Sequence, residues 1–178
     1  MNSAAADVAG ITRGWLEQRY PGAVMTFPLM DSVDTFNGFG VASPNALTLF
    51  FIDSTGSAGW NWTLSVYGGI AIDVPGVTDC LLWANQKNRR SALGKYHIAT
   101  HREAGTSVLI ADYSIMGAHV EAAVLRQSGL AGHIRAQLEN AVAWTDEDGR
   151  EVLSTLGGRR FAHNEESLQT IFFAGSSG

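Results

Sequence analysis

Four basic side chains lie close together in the segment LLWANQKNRRSALGKYHI, residues 81–98, of an otherwise acidic chain. Lys87, Arg89, Arg90 and Lys95 are four of the twelve Lys and Arg residues, and the formal net charge is −5. Such a cluster could bind phosphate, or it could end a helix, because cations in a last helical turn interact favourably with the helix dipole. The helix end is the favoured interpretation. Because no long basic stripe exists, we expect no nucleic-acid partner.

The other side chains that could do chemistry form no catalytic or metal-binding motif. His97 and His101 share one face of a predicted strand, but they lie about 13 Å apart along it, too far to share one metal ion. Cys80 lies on the apolar stripe of a predicted helix, which favours a buried hydrophobic role over a nucleophile. No GxSxG elbow and no phosphate-binding glycine frame occurs. We therefore expect no enzymatic activity, no catalytic residue, no metal and no cofactor.

The composition is typical of a single globular domain. The chain has 178 residues, of which 46% are hydrophobic and 16% charged. No window approaches the roughly 18 consecutive apolar residues of a membrane span, and the N-terminal MNSAAADVAG lacks the basic and apolar regions of a signal peptide. A single cysteine fits a reducing compartment. These features predict a cytoplasmic protein without a membrane partner.

Hydrophobic periodicity predicts the elements that must position these residues. A helical period over about 5–19 gives way after Pro21 to a period of two, and Pro28 places the first strand at a sheet edge or bulge. Further helical periods follow Pro75 and Arg126. The predicted helices are therefore about 5–19, 76–90 and 126–156, and the candidate strands 23–30, 35–43, 46–53, 60–67, 95–101 and 106–115.

This order predicts an α+β fold, in which an antiparallel sheet of five to seven strands packs with three helices in the order α-β(3-4)-α-β-β-α. Residues 1–158 are expected to form the domain. Residues 159–178 are expected to form a C-terminal extension, in which 168–174 could add one strand before a frayed end. The acidic run 145–149 could kink the last helix.

Aromatic side chains on the predicted strands allow two interpretations. They could line a groove for a protein or peptide client, or they could be core beneath a helix. Phe36 and Phe39 favour the groove, because they flank Asn37-Gly38, where a turn should be polar. The candidate client-binding residues are Phe36, Phe39, Phe50, Trp60 and Trp62.

Three large apolar residues follow one another on the second predicted helix. Leu81, Leu82 and Trp83 together span about 200° of the helix, more than one face of a sheet can cover. Leu82 or Trp83 should therefore protrude from the core of its own subunit, unless the third helix forms a layer that covers both. The sequence predicts a homodimer with Leu82 and Trp83 near or in the interface.

The segment ANQKNRRSALGKYHIA resembles the helix–strand junction of the YbjN family, and GTSVLIADYSIMGA is similar to the next strand of that family. The resemblance covers about residues 5–145 in element order and about 80–120 in motif. Two departures are the strand run before the second helix, one longer than the usual three, and the tail beyond Arg159, which has no counterpart. The family is related in fold to the type III secretion chaperones. The resemblance therefore implies a bacterial, non-enzymatic homodimer that binds a protein or peptide client as a chaperone, adaptor or regulator.

A second hypothesis is a small-ligand-binding protein or small enzyme with a pocket between the sheet and the helices. Tyr67, with Trp60 and Trp62, would surround a pocket containing His97 or His101. A closed pocket with convergent polar groups would favour this hypothesis, and an exposed apolar surface would favour the client-binding one.

Overall fold

The computed structural model describes residues 3–28, 37–53, 63–91, 94–101, 105–115 and 129–176. These residues form four helices and one six-stranded antiparallel sheet, which confirms the α+β class and the strand number. The helices are α1 (Ser3–Arg19), α2 (Val77–Arg90), α3 (Gly129–Thr155) and α4 (Glu165–Ser176). The strands are β1 (Val24–Pro28), β2 (Asn37–Ala42), β3 (Leu47–Asp53), β4 (Thr63–Pro75), β5 (Lys95–His101) and β6 (Thr106–Ile115). None of the described helices is long and apolar enough to cross a membrane.

The strands lie in the order β1-β2-β3-β4-β6-β5, so that β1 and β5 are the edges of the sheet. Ala42 N–H donates to the Ala23 carbonyl at 3.0 Å, just before β1. Because hydrogen-bonded and non-hydrogen-bonded pairs alternate in an antiparallel ladder, the nitrogen of Pro28 points away from β2. A residue without an N–H is tolerated there. The prediction that Pro28 marks an edge strand is confirmed.

The sheet has an apolar core on each face. On one face, Phe50 and Val66 are buried with Leu16 of α1 and Leu138 of α3. The alternation predicted in 60–67 is confirmed over its described part, because Leu64 and Val66 are buried while the intervening residues are only half-buried. The helices α1, α2 and α3 together cover this face.

The second face is covered by α4, and here the sequence prediction was wrong. Residues 168–174 form part of a helix rather than an added strand, because Leu168 and Ile171 recur at helical spacing and pack on Leu49 and Ile110. The Asn164 side chain accepts a hydrogen bond from Ser167 N–H at 2.9 Å and so caps the helix. The segment beyond residue 158 is therefore part of the domain's core, not an appendage to it.

α3 runs through the acidic segment 145–149 without the predicted interruption. The Asp146 carboxylate accepts hydrogen bonds from Asn45 N–H at 2.8 Å and from Asn45 Nδ2 at 3.2 Å, which ties α3 to the β2–β3 turn. Gly149 completes this contact, because a Cβ at that position would lie 2.5 Å from the Asn45 carbonyl oxygen. The helix can approach the turn this closely only with glycine at position 149.

We expect Gly149→Ala to destabilise the protein by roughly 1–3 kcal/mol, because a methyl group there meets backbone that can only shift as a unit. Gly14→Ala is the matched control: it lies within α1 with nothing within 4 Å of its added Cβ. That substitution should stabilise the protein by up to about 1 kcal/mol, the difference in helix propensity. Urea denaturation followed by circular dichroism measures both. Equal effects of the same sign would contradict the close packing at Gly149.

Candidate functional site

A polar cluster joins the inner side of α2 to α3 at the β5 edge of the sheet. Its centre is the Lys87 ammonium, which donates to Asp148 Oδ1 at 2.6 Å and to Glu151 Oε2 at 2.7 Å. Asp148 and Glu151 are three residues apart on α3 and therefore share one helix face. The Asp148 side chain is only 7% exposed, so the hydrogen bonds it accepts replace the water that burial removes.

Two aromatic residues complete what we call the Lys87 cluster: Trp83, Lys87, Tyr96, Asp148 and Glu151. Trp83 Nε1 donates to Glu151 Oε1 at 2.8 Å, and the Tyr96 hydroxyl donates to Asp148 Oδ2 at 2.7 Å. The Trp83 and Tyr96 rings meet edge to face with centroids 5.3 Å apart, and Lys87 Nζ lies 5.1 Å from the Trp83 ring centroid. α2, β5 and α3 each contribute to the cluster.

The charges of the cluster stabilise one another. Burial alone would lower the pKa of Lys87, but hydrogen bonds from its ammonium to Asp148 and Glu151 raise it. Burial alone would raise the pKa of Glu151, but hydrogen bonds from Lys87 and Trp83 lower it. The ion pair is therefore fully formed around neutral pH.

Tyrosines beneath the ion pair remain protonated. Burial, followed by the neighbouring Tyr113 and Asp148, raises the pKa of Tyr96 far above its ordinary value. Burial raises the pKa of Tyr113 to about 12. The buried Tyr113 hydroxyl lies near those of Tyr96 and Thr145 without a hydrogen bond of normal geometry. The Tyr113 hydroxyl therefore has no hydrogen-bond partner among the described residues.

The C-terminal end of α2 is held by a second contact. Asn88 Oδ1 accepts from Tyr96 N–H at 2.8 Å, and Asn88 Nδ2 donates to the Tyr96 carbonyl at 3.2 Å. The amide side chain therefore occupies the outward-facing backbone groups of the edge strand at this residue. Asn88, near the C-terminal end of α2, thus also joins this helix to β5.

The exposed part of α2, which we call the outer face, carries Leu81, Leu82, Asn85, Gln86, Arg89 and Arg90. Leu81 is 49% and Leu82 57% exposed, an unusual fraction for neighbouring large apolar residues. Arg89 and Arg90 make no ion pair with any residue that the structure describes. The basic cluster is therefore divided. Lys87 belongs to the contact between α2 and α3, whereas Arg89 and Arg90 share the outer face with the leucines.

One of the two predicted interface residues lies inside the subunit. Leu82 protrudes as expected, but Trp83 is 8% exposed, because Tyr96 and Glu151 take up its ring and its N–H. The third helix does cover this position, as the alternative interpretation proposed. The homodimer stays a prediction, and Leu82 is the residue of the pair that can enter such an interface.

The predicted client groove is not formed by its described members. Phe39 and Phe50 are 2% and 0% exposed and stack with centroids 5.5 Å apart in the core beneath the helices. In this arrangement neither ring can contact a client, so the core interpretation is correct for both. Phe36, Trp60 and Trp62 lie outside the described residues.

Two residues of the small-ligand hypothesis, Tyr67 and His97, lie on the second face of the sheet. Tyr67 and Asp112 are opposite one another on β4 and β6, and His97 Nε2 lies 3.9 Å from Asp112 Oδ2. Burial and the Asp112 charge raise the pKa of Tyr67. Within the described ranges, no group of three His, Cys, Asp or Glu side chains could hold a metal ion.

The Lys87 cluster was missed from the sequence, although a signal for it exists. Cys80, Trp83, Ala84 and Lys87 follow the i, i+3, i+4, i+7 pattern of a single helix face, so Lys87 lies on the buried side. A lysine at such a position requires a carboxylate partner, and Asp148 and Glu151 offer two on one face of a later helix. Only the contact between α2 and α3 could not be predicted from the local sequence pattern.

Comparison of the chain with protein-family models, with curated proteins and with solved structures finds no match.

We expect Lys87→Met to destabilise the protein by about 1–3 kcal/mol, because the buried Asp148 side chain then loses the ion pair and hydrogen bond that Lys87 supplies. Arg89→Met is the matched control: an exposed residue on the same helix turn, whose replacement should change stability by less than about 0.5 kcal/mol. Chemical denaturation of the three proteins at neutral pH measures the difference. Equal stabilities would show that the ion pair contributes nothing.

The stabilisation by Lys87 should depend on pH in a definite direction. Glu151 has a lowered pKa, so its contribution is complete above the ordinary carboxyl value of about 4.3 and is lost as the pH falls through its folded pKa. Lys87 has a raised pKa, so its contribution is complete below about 10.4 and is lost as the pH rises through its folded pKa. The stability difference between wild type and Lys87→Met should therefore form a plateau between these values. A difference independent of pH would contradict the assignment.

Proposed function

We propose that the protein is a non-enzymatic protein-binding module of the chaperone, adaptor or regulatory type, and that it binds its partner through the outer face of α2. The observation that carries this proposal is the exposure of Leu81 and Leu82 next to one another. Adjacent large apolar side chains on a helix surface are typical of an interaction site. Among the described residues nothing gives this exposure a structural role, because Cys80, Trp83 and Ala84 already supply the core contacts of α2.

Two further points support the proposal. The Lys87 cluster and Asn88 hold α2 in place at both the middle and the end, so its outer face is presented on a fixed support. The sequence resemblance to the YbjN family covers this same helix and the following strands, and that family is related to chaperones that bind proteins. A cytoplasmic location belongs to the same proposal, and a homodimer that buries Leu82 is the competing use of the same face.

Leu82→Glu should abolish partner binding without unfolding the protein, because residue 82 is exposed and a charge there costs the folded state less than about 0.5 kcal/mol. Phe173→Glu is the matched control, an equally large change at an apolar residue of α4 that is 64% exposed. Proteins purified on each tagged variant from the native host are quantified by mass spectrometry. The proposal requires specific partners lost with Leu82→Glu and retained with Phe173→Glu. Loss with both variants, or with neither, would contradict it.

A small-ligand site is the second candidate, favoured by the approach of His97 to Asp112 beside Tyr67. Such a site would bind a polar molecule through the imidazole, the carboxylate and the phenol. NMR screening of small polar compounds tests it directly. Compounds that shift the His97 ring resonances in the wild type, and that fail to bind His97→Ala, would establish the site. Shifts that persist in the variant would place the ligand elsewhere.

A further inference from the structure

The outer face of α2 repeats one chemical order twice. Leu81, Asn85 and Arg89 are spaced at four-residue steps, and Leu82, Gln86 and Arg90 follow the same steps one residue later. Residues four apart form ridges along a helix. Each ridge therefore begins with an exposed leucine, continues with an amide and ends with an arginine, and the two ridges lie side by side.

The ridges separate an apolar end from a cationic end. Leu81 and Arg89 are eight residues apart, which corresponds to about 12 Å along a helix. The carboxylates of the Lys87 cluster are committed to Lys87, Trp83 and Tyr96. Arg90 is near enough to help lower the pKa of Glu151 but forms no ion pair with it. Both arginine side chains are exposed in a protein of net charge −5.

This order does not fit a second copy of the same face. If two copies of α2 overlapped fully in antiparallel orientation, the leucines of one would lie against the arginines of the other. In parallel orientation, arginine would lie against arginine, which is repulsive. A two-fold crossing at Leu81 and Leu82 alone would bury the leucines and leave the arginines unmatched. The face is complementary to a different sequence.

We infer that the outer face of α2 binds an amphipathic helical segment of another protein, whose apolar side chains pack on Leu81 and Leu82. Carboxylates about two helical turns away on that segment pair with Arg89 and Arg90. This inference rests on the proposed function, and it adds the chemical class of the partner. The apolar contact supplies most of the affinity, and the arginines select acidic segments and fix their direction.

Selection from a displayed library of helical peptides tests the inference with the full-length protein. The library is selected in parallel on wild type, on Arg89→Glu/Arg90→Glu and on Leu81→Ala/Leu82→Ala. Wild type should enrich peptides with acidic residues seven or eight positions from an apolar pair. The arginine variant should enrich basic residues at the same positions, and wild-type peptides should bind it about tenfold more weakly, as expected for two exposed charge pairs.

The remaining outcomes separate this inference from the proposed function. Peptides that require Leu81 and Leu82 but show no acidic preference would overturn the partner class and leave the binding function intact. Peptides that bind the leucine variant as tightly as wild type, or no enrichment at all, would overturn both. A wild type that sediments as a dimer, becomes monomeric on Leu82→Glu and enriches no peptide would assign the face to a second copy. An oligonucleotide gel-shift at physiological salt that depends on Arg89 and Arg90 would replace the acidic peptide with nucleic acid.

Discussion

The Asp148 carboxylate is the group on which the arrangement of α2, β5 and α3 depends. It is almost wholly buried, and both Lys87 and Tyr96 donate hydrogen bonds to it. Removing such a charge from water is costly, so the fold tolerates it only while both partners stay in place. This buried contact therefore fixes the position of α2 relative to α3.

Residues 145–149 of α3 also contact two other parts of the structure. Asp146 and Gly149 dock α3 on the turn around Asn45, and Thr145 packs over Gly68 of β4. Consecutive residues of α3 thus contact the β2–β3 turn, the centre of the sheet and α2. The inner side of α2 packs against the core and the Lys87 cluster. Its outer face carries leucines and arginines in two parallel ridges. Stability and binding are divided between the two sides of a single helix.

Much of the fold could be predicted because it depends on local patterns. The helical periods before Pro21 and after Pro75, the strand alternation around Leu64 and Val66, and the proline at the β1 edge all point to the observed elements. The helix α4 was mistaken for a strand because LQTIFFA is apolar in both periods, and only the second face of the sheet, with Leu49 and Ile110, determines which period is buried.

The candidate site was predictable only in part, for a related reason. Three successive apolar residues on α2 correctly indicated that Leu82 or Trp83 must protrude, and Leu82 does so together with Leu81. Whether Trp83 joins it depends on Tyr96 and Glu151, which come from distant parts of the chain. The role of Lys87 was hidden in the same way, since a basic run at a helix end is adequately explained by the helix dipole until α3 is placed beside it.

Site-specific photo-crosslinking in the native host tests the central claim, that a helix anchored by Asp148 presents a protein-binding surface. A photoreactive amino acid is placed at position 82 on the outer face of α2, and in a second strain at position 173 on α4, both exposed. The account predicts discrete adducts with another polypeptide at position 82 and none at position 173. Adducts at 173 alone, or at neither position in cells that express both proteins stably, would contradict it.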